Sequence, residues 1–307
     1  MAETPQPDAA PPEDSLARIE AGGIPLAAEQ RLAGIRDTGG SFTSDLSMSD
    51  YALCRQVGLR PLAQVMGSSI YQVGYPQSLG WIGPGRVVLP AMVTEIDTLT
   101  DAWNEARERA LGRLAREALL VGADAVVGVS VSAEASDWSD SMTSGVIEYS
   151  VIGTAVARNR GPGLRDGHPV LTELSVADYA KLLGAGIEPA GIVAWSSVCY
   201  STYSYTTAMR AQPIGFMQGV ESFELTEFTE AIYAARERVM VRLGTQAHAL
   251  GAGGIVGVRM PHTISRQALG QPNVSGLLVT LHAIGTAIDD ASRAQPAVPK
   301  PTIDLLA

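Results

Sequence analysis

The chain is 307 residues long, is 46% hydrophobic and carries a formal net charge of −10. Its length is typical of roughly two domains of about 100–200 residues each, and its apolar content can fill two modest cores. The acidic balance leaves no basic face, so nucleic acid is not an expected partner.

The sequence gives no sign of membrane insertion or export. No apolar run approaches the ~18–20 residues of a membrane-spanning helix. Residues 1–20 lack the basic start and the apolar middle of a signal peptide. We therefore expect a cytoplasmic protein without a membrane span.

Residues 1–44 are expected to form a disordered N-terminal tail that contains one short helix. The first fourteen or so residues are rich in proline, alanine and acids, and they cannot bury enough apolar surface to become ordered. The helix is predicted from Ile24 to Ile35, with Pro25 near its start, before the glycine pair at 39 and 40.

A glycine-rich octet organises the rest of the chain because it occurs twice. Residues 122–129 read GADAVVGV and residues 251–258 read GAGGIVGV. Other residues recur at spacings of 128 (178 − 50) to 132 (285 − 153) positions, which marks two homologous units. The matched pairs include Asp50 and Asp178, Gly58 and Gly186, Ser68 and Ser196, Arg107 and Arg236, and Gly153 and Gly285. The predicted parts are a first domain at 45–158, a linker at 159–170, a second domain at 171–288 and a disordered tail at 289–307.

Each unit is predicted to begin with a short capped helix. Ser47 and Ser175 can cap the two helices, and Gly58 and Gly186 can end them. A strand rich in β-branched and aromatic residues follows at 62–75 and again at 192–205. The segments after these strands differ most between the units. The first unit has a proline-glycine loop with a possible short strand at 87–89, and the second has an apolar stretch at 206–219.

A long amphipathic helix is the most strongly patterned element of each unit. Apolar residues recur at helical spacing from Ile96 to Val121 and from Leu225 to Leu250. The charged residues of both helices, including Arg107, Glu108 and Arg236, lie off this stripe and are interpreted as a solvated face. After each helix we predict a strand, a polar loop (132–145 and 261–276) and a second strand (146–157 and 277–288).

The predicted fold class is therefore α+β, with two repeated β-α-β-β units that are each preceded by a helix. One helix can cover only one face of such a small sheet, so the other face and the edge strands need another partner. Aromatic residues of the second unit, such as Tyr200 and Tyr203, add to the surface expected near one edge.

The sequence does not predict a catalytic site or a cofactor-binding site. Ser68 and Ser196 recur, but no histidine recurs with them to activate a hydroxyl. The glycines of the octet follow a helix instead of opening one, so they do not form a phosphate-binding loop. We expect a protein that is not an enzyme.

A metal site is the other chemistry considered. Soft metals bind thiolates and imidazoles, and Cys199, His262 and His282 are the candidate metal ligands. None of the three recurs in the first unit, where Tyr71, Ala133 and Ser150 take their places. The alternative is a buried Cys199 with histidines at the surface. Cys54 and Cys199 also fall at unmatched positions, so no disulfide is expected.

The two octets, with the later Gly-Thr-Ala segments at 153–155 and 285–287, resemble the YbjQ family, which is also labelled a heavy-metal-binding domain. The resemblance covers roughly residues 46–157 and 174–288. It implies a dodecin-like β-α-β-β layer and a five-fold ring of domains. Members are usually single domains, so the tandem arrangement is a departure.

The function expected from these observations is a non-enzymatic oligomer with a role in assembly or small-ligand binding, and the alternative is heavy-metal-ion binding. The resemblance implies a homopentamer in which five chains carry ten units as two linked tiers. Pairing of the two units within one chain is the alternative and would permit a monomer or dimer. A protein partner is also possible.

Overall fold

The computed structural model describes residues 13–38, 43–74, 93–136, 144–159, 163–202, 207, 222–268 and 275–289. The helices in these ranges are α1 (Glu13–Glu20), α2 (Leu26–Thr38), α3 (Met48–Val57), α4 (Asp97–Leu120), α5 (Val176–Gly184) and α6 (Thr226–Ala249). The strands are β1 (Leu59–Gly74), β2 (Val93–Glu95), β3 (Ala125–Ser136), β4 (Ser144–Arg158), β5 (Val170–Leu171), β6 (Glu188–Thr202), β7 (Gly254–Arg259), β8 (His262–Ala268) and β9 (Ser275–Asp289). None of these helices is long and apolar enough to cross a membrane.

The strands form two sheets that share a three-stranded antiparallel core, β1-β4-β3 in one and β6-β9-β7 in the other, which confirms the mixed α and β architecture. Sheet one has the order β1-β4-β3-β5, and sheet two has the order β2-β6-β9-β7 with β8 also paired to β9. The registers correspond, since Ser68 lies opposite Ser150 and Ser196 lies opposite His282. Both sheets also bulge at the seventh residue of the octet, where Gly128 and Gly257 adopt φ values of 64° and 67°.

The short helix at the start of each unit has the predicted caps. The Ser47 hydroxyl accepts a hydrogen bond from the Asp50 backbone N–H, and Ser175 accepts one from Asp178 in the same way. Chain reversal after each helix uses a glycine, and Gly58 and Gly186 both have φ near 75°. These local signals therefore determine where α3 and α5 begin and end.

The two predicted polar loops are wrong in part because each contains strand residues. β3 continues to Ser136, and β8 occupies His262–Ala268. Their polar side chains lie on exposed parts of the sheet while their backbones pair with β4 and β9. Pro261 separates β7 from β8, because proline has no N–H for the ladder, although its carbonyl accepts a hydrogen bond from His282.

The N-terminal segment contains two helices in its described part, where one was predicted, and it packs against the first unit. Ile24 and Leu32 are buried in the same cluster as the α4 residues. The Arg113 guanidinium of α4 donates to the backbone carbonyls of Ile19 and Gly23. Residues 13–38 are therefore part of the folded first unit and not a tail.

The long helices cover one face of each sheet. Gly67 of β1 is required for this packing, since a Cβ there would overlap the Ala110 carbonyl oxygen and lie 2.8 Å from the Leu114 nitrogen. The opposite face of sheet one is covered by α3 and by α5, which place Cys54 and Tyr179 in one cluster. Because α5 belongs to the second unit, the two units share this core.

The predicted linker contains an ordered turn. Arg165 and His168 exchange backbone hydrogen bonds around Asp166 and Gly167, which both have positive φ, as in a two-residue hairpin. The possible strand at 87–89, nearly all of the apolar stretch at 206–219, and the tails at 1–12 and 290–307 lie outside the described residues.

Candidate functional site

The junction between the two units brings together polar side chains and backbone groups from both units. The first unit adds β2 to the outer edge of β6, with Val93 opposite Ser201 and Glu95 opposite Cys199. The Ile96 backbone N–H then donates to the Val198 carbonyl at 2.8 Å. The segment that leads into α4 therefore extends the sheet of the second unit.

Two side chains of α4 continue this ladder after the backbone has turned into the helix. The Val198 N–H donates to the Thr100 hydroxyl at 3.0 Å. The Asn104 amide donates to the Ser196 carbonyl at 2.9 Å and accepts from the Ser196 N–H at 3.0 Å. Four helix residues rise about 6 Å, which is close to the roughly 6.7 Å advance of two strand residues. This similarity allows one helix face to satisfy a strand edge.

A polar cluster at the junction joins Glu95 of the first unit to the second unit. The Glu95 carboxylate accepts hydrogen bonds from the Ser197 hydroxyl at 2.7 Å and the Thr100 hydroxyl at 3.3 Å, and it lies 3.4 Å from the Arg238 guanidinium. Arg238 also lies 3.1 Å from the Cys199 sulfur. Burial raises the pKa of the Cys199 thiol, although Ser197 and Arg238 oppose the shift.

Arg107 is the clearest departure from the sequence interpretation. Helical periodicity predicts a solvated position for this residue, but its side chain is 3% exposed. Its guanidinium lies 5.5 Å from the centre of the Trp195 ring, and Arg242 lies 4.9 Å from the same ring. The Asn104 carbonyl oxygen accepts a hydrogen bond from Arg107. The second unit therefore buries a charged residue of the first.

His282 is not at the surface, contrary to the sequence alternative that placed the histidines there. Its Nδ1 lies 2.8 Å from the Ser196 hydroxyl, and its ring meets Trp103 edge-on with centroids 4.6 Å apart. Burial, helped by the nearby Arg107, lowers the pKa of His282 to about 4. The pair resembles a serine with a base, but Ser196 is buried below α4, so a substrate does not reach its hydroxyl.

The second unit also adds a strand to the sheet of the first unit. β5 pairs in parallel with β3, and the Thr172 N–H donates to the Val126 carbonyl at 2.9 Å. At the bulge, the Gly128 N–H donates to the Leu174 carbonyl at 2.9 Å. The Thr172 hydroxyl also lies 3.0 Å from the Thr286 hydroxyl of β9. Each unit thus adds a segment to an edge of the other.

Comparison with known proteins identifies the family of the chain. The family model described as "Putative heavy-metal-binding", YbjQ_1, matches residues 88–159 and 186–290, which together are more than half of the chain. The chain is a tandem member of the YbjQ family. It is 32% identical over 256 residues to an encapsulin nanocompartment protein of Mycobacterium tuberculosis, and the match covers 81% of this chain and 86% of the relative. No solved structure matches the chain.

The heavy-metal label of the YbjQ family does not fit the ligands that this chain brings together. Cys199 and His282 lie on opposite faces of sheet two, because strand residues alternate between the faces. His262 is exposed on β8, opposite Leu281. The sulfur of Cys199 is next to the Arg238 cation, which would repel a metal ion. Among the described residues, no three His, Cys, Asp or Glu side chains gather as a metal-binding group.

Proposed function

We propose that this chain is a non-enzymatic structural protein that assembles with copies of itself through its sheet edges. The occupied edge of β6 is the main support, because β2, Thr100 and Asn104 satisfy it in succession. A unit that offers a helix face on one side and a strand edge on the other can repeat the same contact. Such head-to-tail contacts produce rings when the rotation closes.

The named relative supports the same role. A protein that is 32% identical over 86% of its length is called an encapsulin nanocompartment protein. We extend this association to the present chain and propose that its assembly works with a protein compartment in the cytoplasm. A structural component needs edges and faces that recognise other chains, and the junction has that character.

Catalysis and metal binding receive less support from the junction. Ser196 is buried next to His282, and the Cys199 sulfur already has the Arg238 guanidinium as a neighbour. The hydrogen-bonding groups of the junction satisfy backbone and side-chain partners within the chain. They therefore position one unit against the other, and we assign them an assembly role.

Light scattering of the purified, tag-free chain at micromolar concentration tests the proposal. We expect a mass that is a multiple of the 32.2 kDa chain, and the homopentamer expected from the family resemblance would give about five times that value. A mass near a single chain, unchanged as the concentration is raised tenfold, would refute self-assembly. The same sample measured in denaturant supplies the single-chain reference.

A further inference from the structure

We infer that the N-terminal face of α6 docks on the outer edge of β1 in a second copy of this chain, repeating the junction found within the chain. The inference rests on the proposed self-assembly and identifies its surfaces. The α6 face consists of Thr229, Ile232, Tyr233 and Arg236, and the β1 edge consists of Ser68 and Ile70.

The α6 face occupies the positions that α4 uses within the chain. A shift of 129 (236 − 107) positions relates Thr229 to Thr100 and Tyr233 to Asn104. Thr100, Trp103, Asn104 and Arg107 are all buried against the second unit. Their equivalents line an open depression, in which Tyr233 is 60% exposed. The same helix face is therefore covered in one unit and uncovered in the other.

The β1 edge shows the complementary difference. A shift of 128 (196 − 68) positions relates Ser68 to Ser196 and Ile70 to Val198. Val198 is fully buried where α4 and β2 meet it, whereas Ile70 is 65% exposed. β1 also lies at the end of the described strand order of sheet one, although the Ser68 carbonyl already accepts a hydrogen bond from Arg113 of the same chain, so the exposed Ile70 is the main open feature of this edge. An exposed isoleucine on an edge strand is a surface that another chain can cover.

The outer edges of β3 and β7 show the same difference, because the first is covered within the chain and the second is not. Within the chain, residues 170–174 cover the outer edge of β3, where Ala125 and Val127 are fully buried. The equivalent edge belongs to β7, which ends the strand order of sheet two and leaves Gly254 and Val256 partly exposed. A shift of 128 positions makes residues 43–46 the equivalent of 171–174. Repeating the junction therefore places residues 43–46 of the second copy on β7.

The charges of the two surfaces also agree with a repeated contact. Within the chain, Glu95 meets Arg238 across the junction. Their equivalents are Glu224 and Arg109, and both are exposed in the single chain. Docking would bring this acid and this base together, as it does within the chain. The recognised partner is therefore another copy of the same chain.

The repeated contact has a consequence for stoichiometry. Each chain joins its first unit to its second, and each new contact joins a second unit to the first unit of the next chain. A ring closed in this way contains an even number of units. The two units of one chain lie side by side in that ring, which differs from the two linked tiers expected from the family resemblance.

Aspartate substitutions test both surfaces. Tyr233→Asp and Ile70→Asp each place a charge inside the proposed contact. We therefore expect the molar mass measured by light scattering to fall to that of a single chain. Val241→Asp is the matched control on α6, since Val241 is 67% exposed and lies away from the face, and it should keep the wild-type mass. Circular dichroism of each variant shows that the fold is retained.

Crosslinking provides an independent measurement. Chains carrying Ser68→Cys and chains carrying Tyr233→Cys, with tags of different size, are co-expressed and treated with a short bismaleimide. The native cysteines are buried, so we expect a crosslinked product that contains one chain of each kind, and little product from either chain alone. If the wild type is multimeric, gives no such product and keeps its mass in both aspartate variants, the two docking surfaces are wrong but self-assembly stands. If the wild type is monomeric, both the docking surfaces and self-assembly are wrong.

Discussion

Asn104 and Ser196 form two hydrogen bonds with each other across the boundary between the two units. The Asn104 amide nitrogen lies 2.9 Å from the Ser196 carbonyl oxygen, and its carbonyl oxygen lies 3.0 Å from the Ser196 nitrogen. A side-chain amide carries the same donor and acceptor pair as a peptide group, so Asn104 replaces a missing strand residue. The first unit thereby satisfies the backbone groups at the outer edge of β6 with a helix side chain instead of another strand residue.

Replacement of Asn104 should therefore lower the free energy of unfolding more than replacement of an ordinary helix residue does. Asn104→Ala leaves the buried N–H and C=O of Ser196 without these partners, and each unsatisfied group costs about 1–3 kcal/mol. We expect the free energy of unfolding to fall by about 2–4 kcal/mol, measured by urea denaturation. Val241→Ala, at an exposed α6 position, should change it by less than about 0.5 kcal/mol. Equal effects of the two substitutions would show that the two hydrogen bonds between Asn104 and Ser196 contribute little to stability.

The two glycines Gly67 and Gly112 should respond to alanine in opposite ways. A Cβ at Gly67 overlaps the α4 backbone, whereas a Cβ at Gly112 meets nothing within 4 Å. Gly67→Ala must push α4 away from β1, and we expect a loss of about 3 kcal/mol or more. Gly112→Ala should add up to ~1 kcal/mol because alanine favours a helix interior. Thermal unfolding of both variants tests the difference, and a stable Gly67→Ala chain would contradict the close packing.

Much of the fold could be predicted because its signals are local and occur twice. Ser47 and Gly58 cap α3 through their own side chain and backbone, and the octets at 122–129 and 251–258 place the same glycine bulge in both sheets. The polar residues after each octet misled the sequence interpretation. Strand pairing there depends on β4 and β9, which lie farther along the chain.

The junction could not be predicted from helical periodicity. Arg107 lies off the apolar stripe of α4, and it is buried beside Trp195, which comes from a distant part of the chain. A signal does exist in the places where the repeat fails. Asn104 has Tyr233 as its equivalent, and Trp195 has Gly67, although the residues around them match. Such departures mark positions that form the junction within the chain.

The purified, tag-free chain should hold no stoichiometric transition metal. Cys199 and His282 lie on opposite faces of the sheet, and Arg238 lies next to the Cys199 sulfur. We expect elemental analysis to find well below one zinc or copper per chain. Chains carrying Cys199→Ser or His262→Ala are the controls and should give the same result. About one metal ion per wild-type chain, lost in either variant, would restore the heavy-metal assignment.

His282 should make the stability of the chain depend on pH. Its pKa in the folded chain is about 4, below the ordinary value of 6.5, because burial and Arg107 disfavour the imidazolium. Between these two values the unfolded chain binds a proton that the folded chain does not. Lowering the pH through this window therefore favours unfolding. Below about pH 4 both states are protonated, and the contribution of His282 no longer changes.

His282→Ser tests this expectation because it introduces the residue that Ser150 supplies at the equivalent position of the first unit. Urea denaturation of both chains at pH 7.0 and pH 4.5 gives two changes in the free energy of unfolding. We expect the wild type to lose about 1–3 kcal/mol more than the variant over this range, since one pKa unit corresponds to about 1.4 kcal/mol. Carboxylates such as Glu117 titrate in both chains and cancel in the comparison. Parallel losses in the two chains would show that the His282 imidazole is free to take up its proton in the folded state.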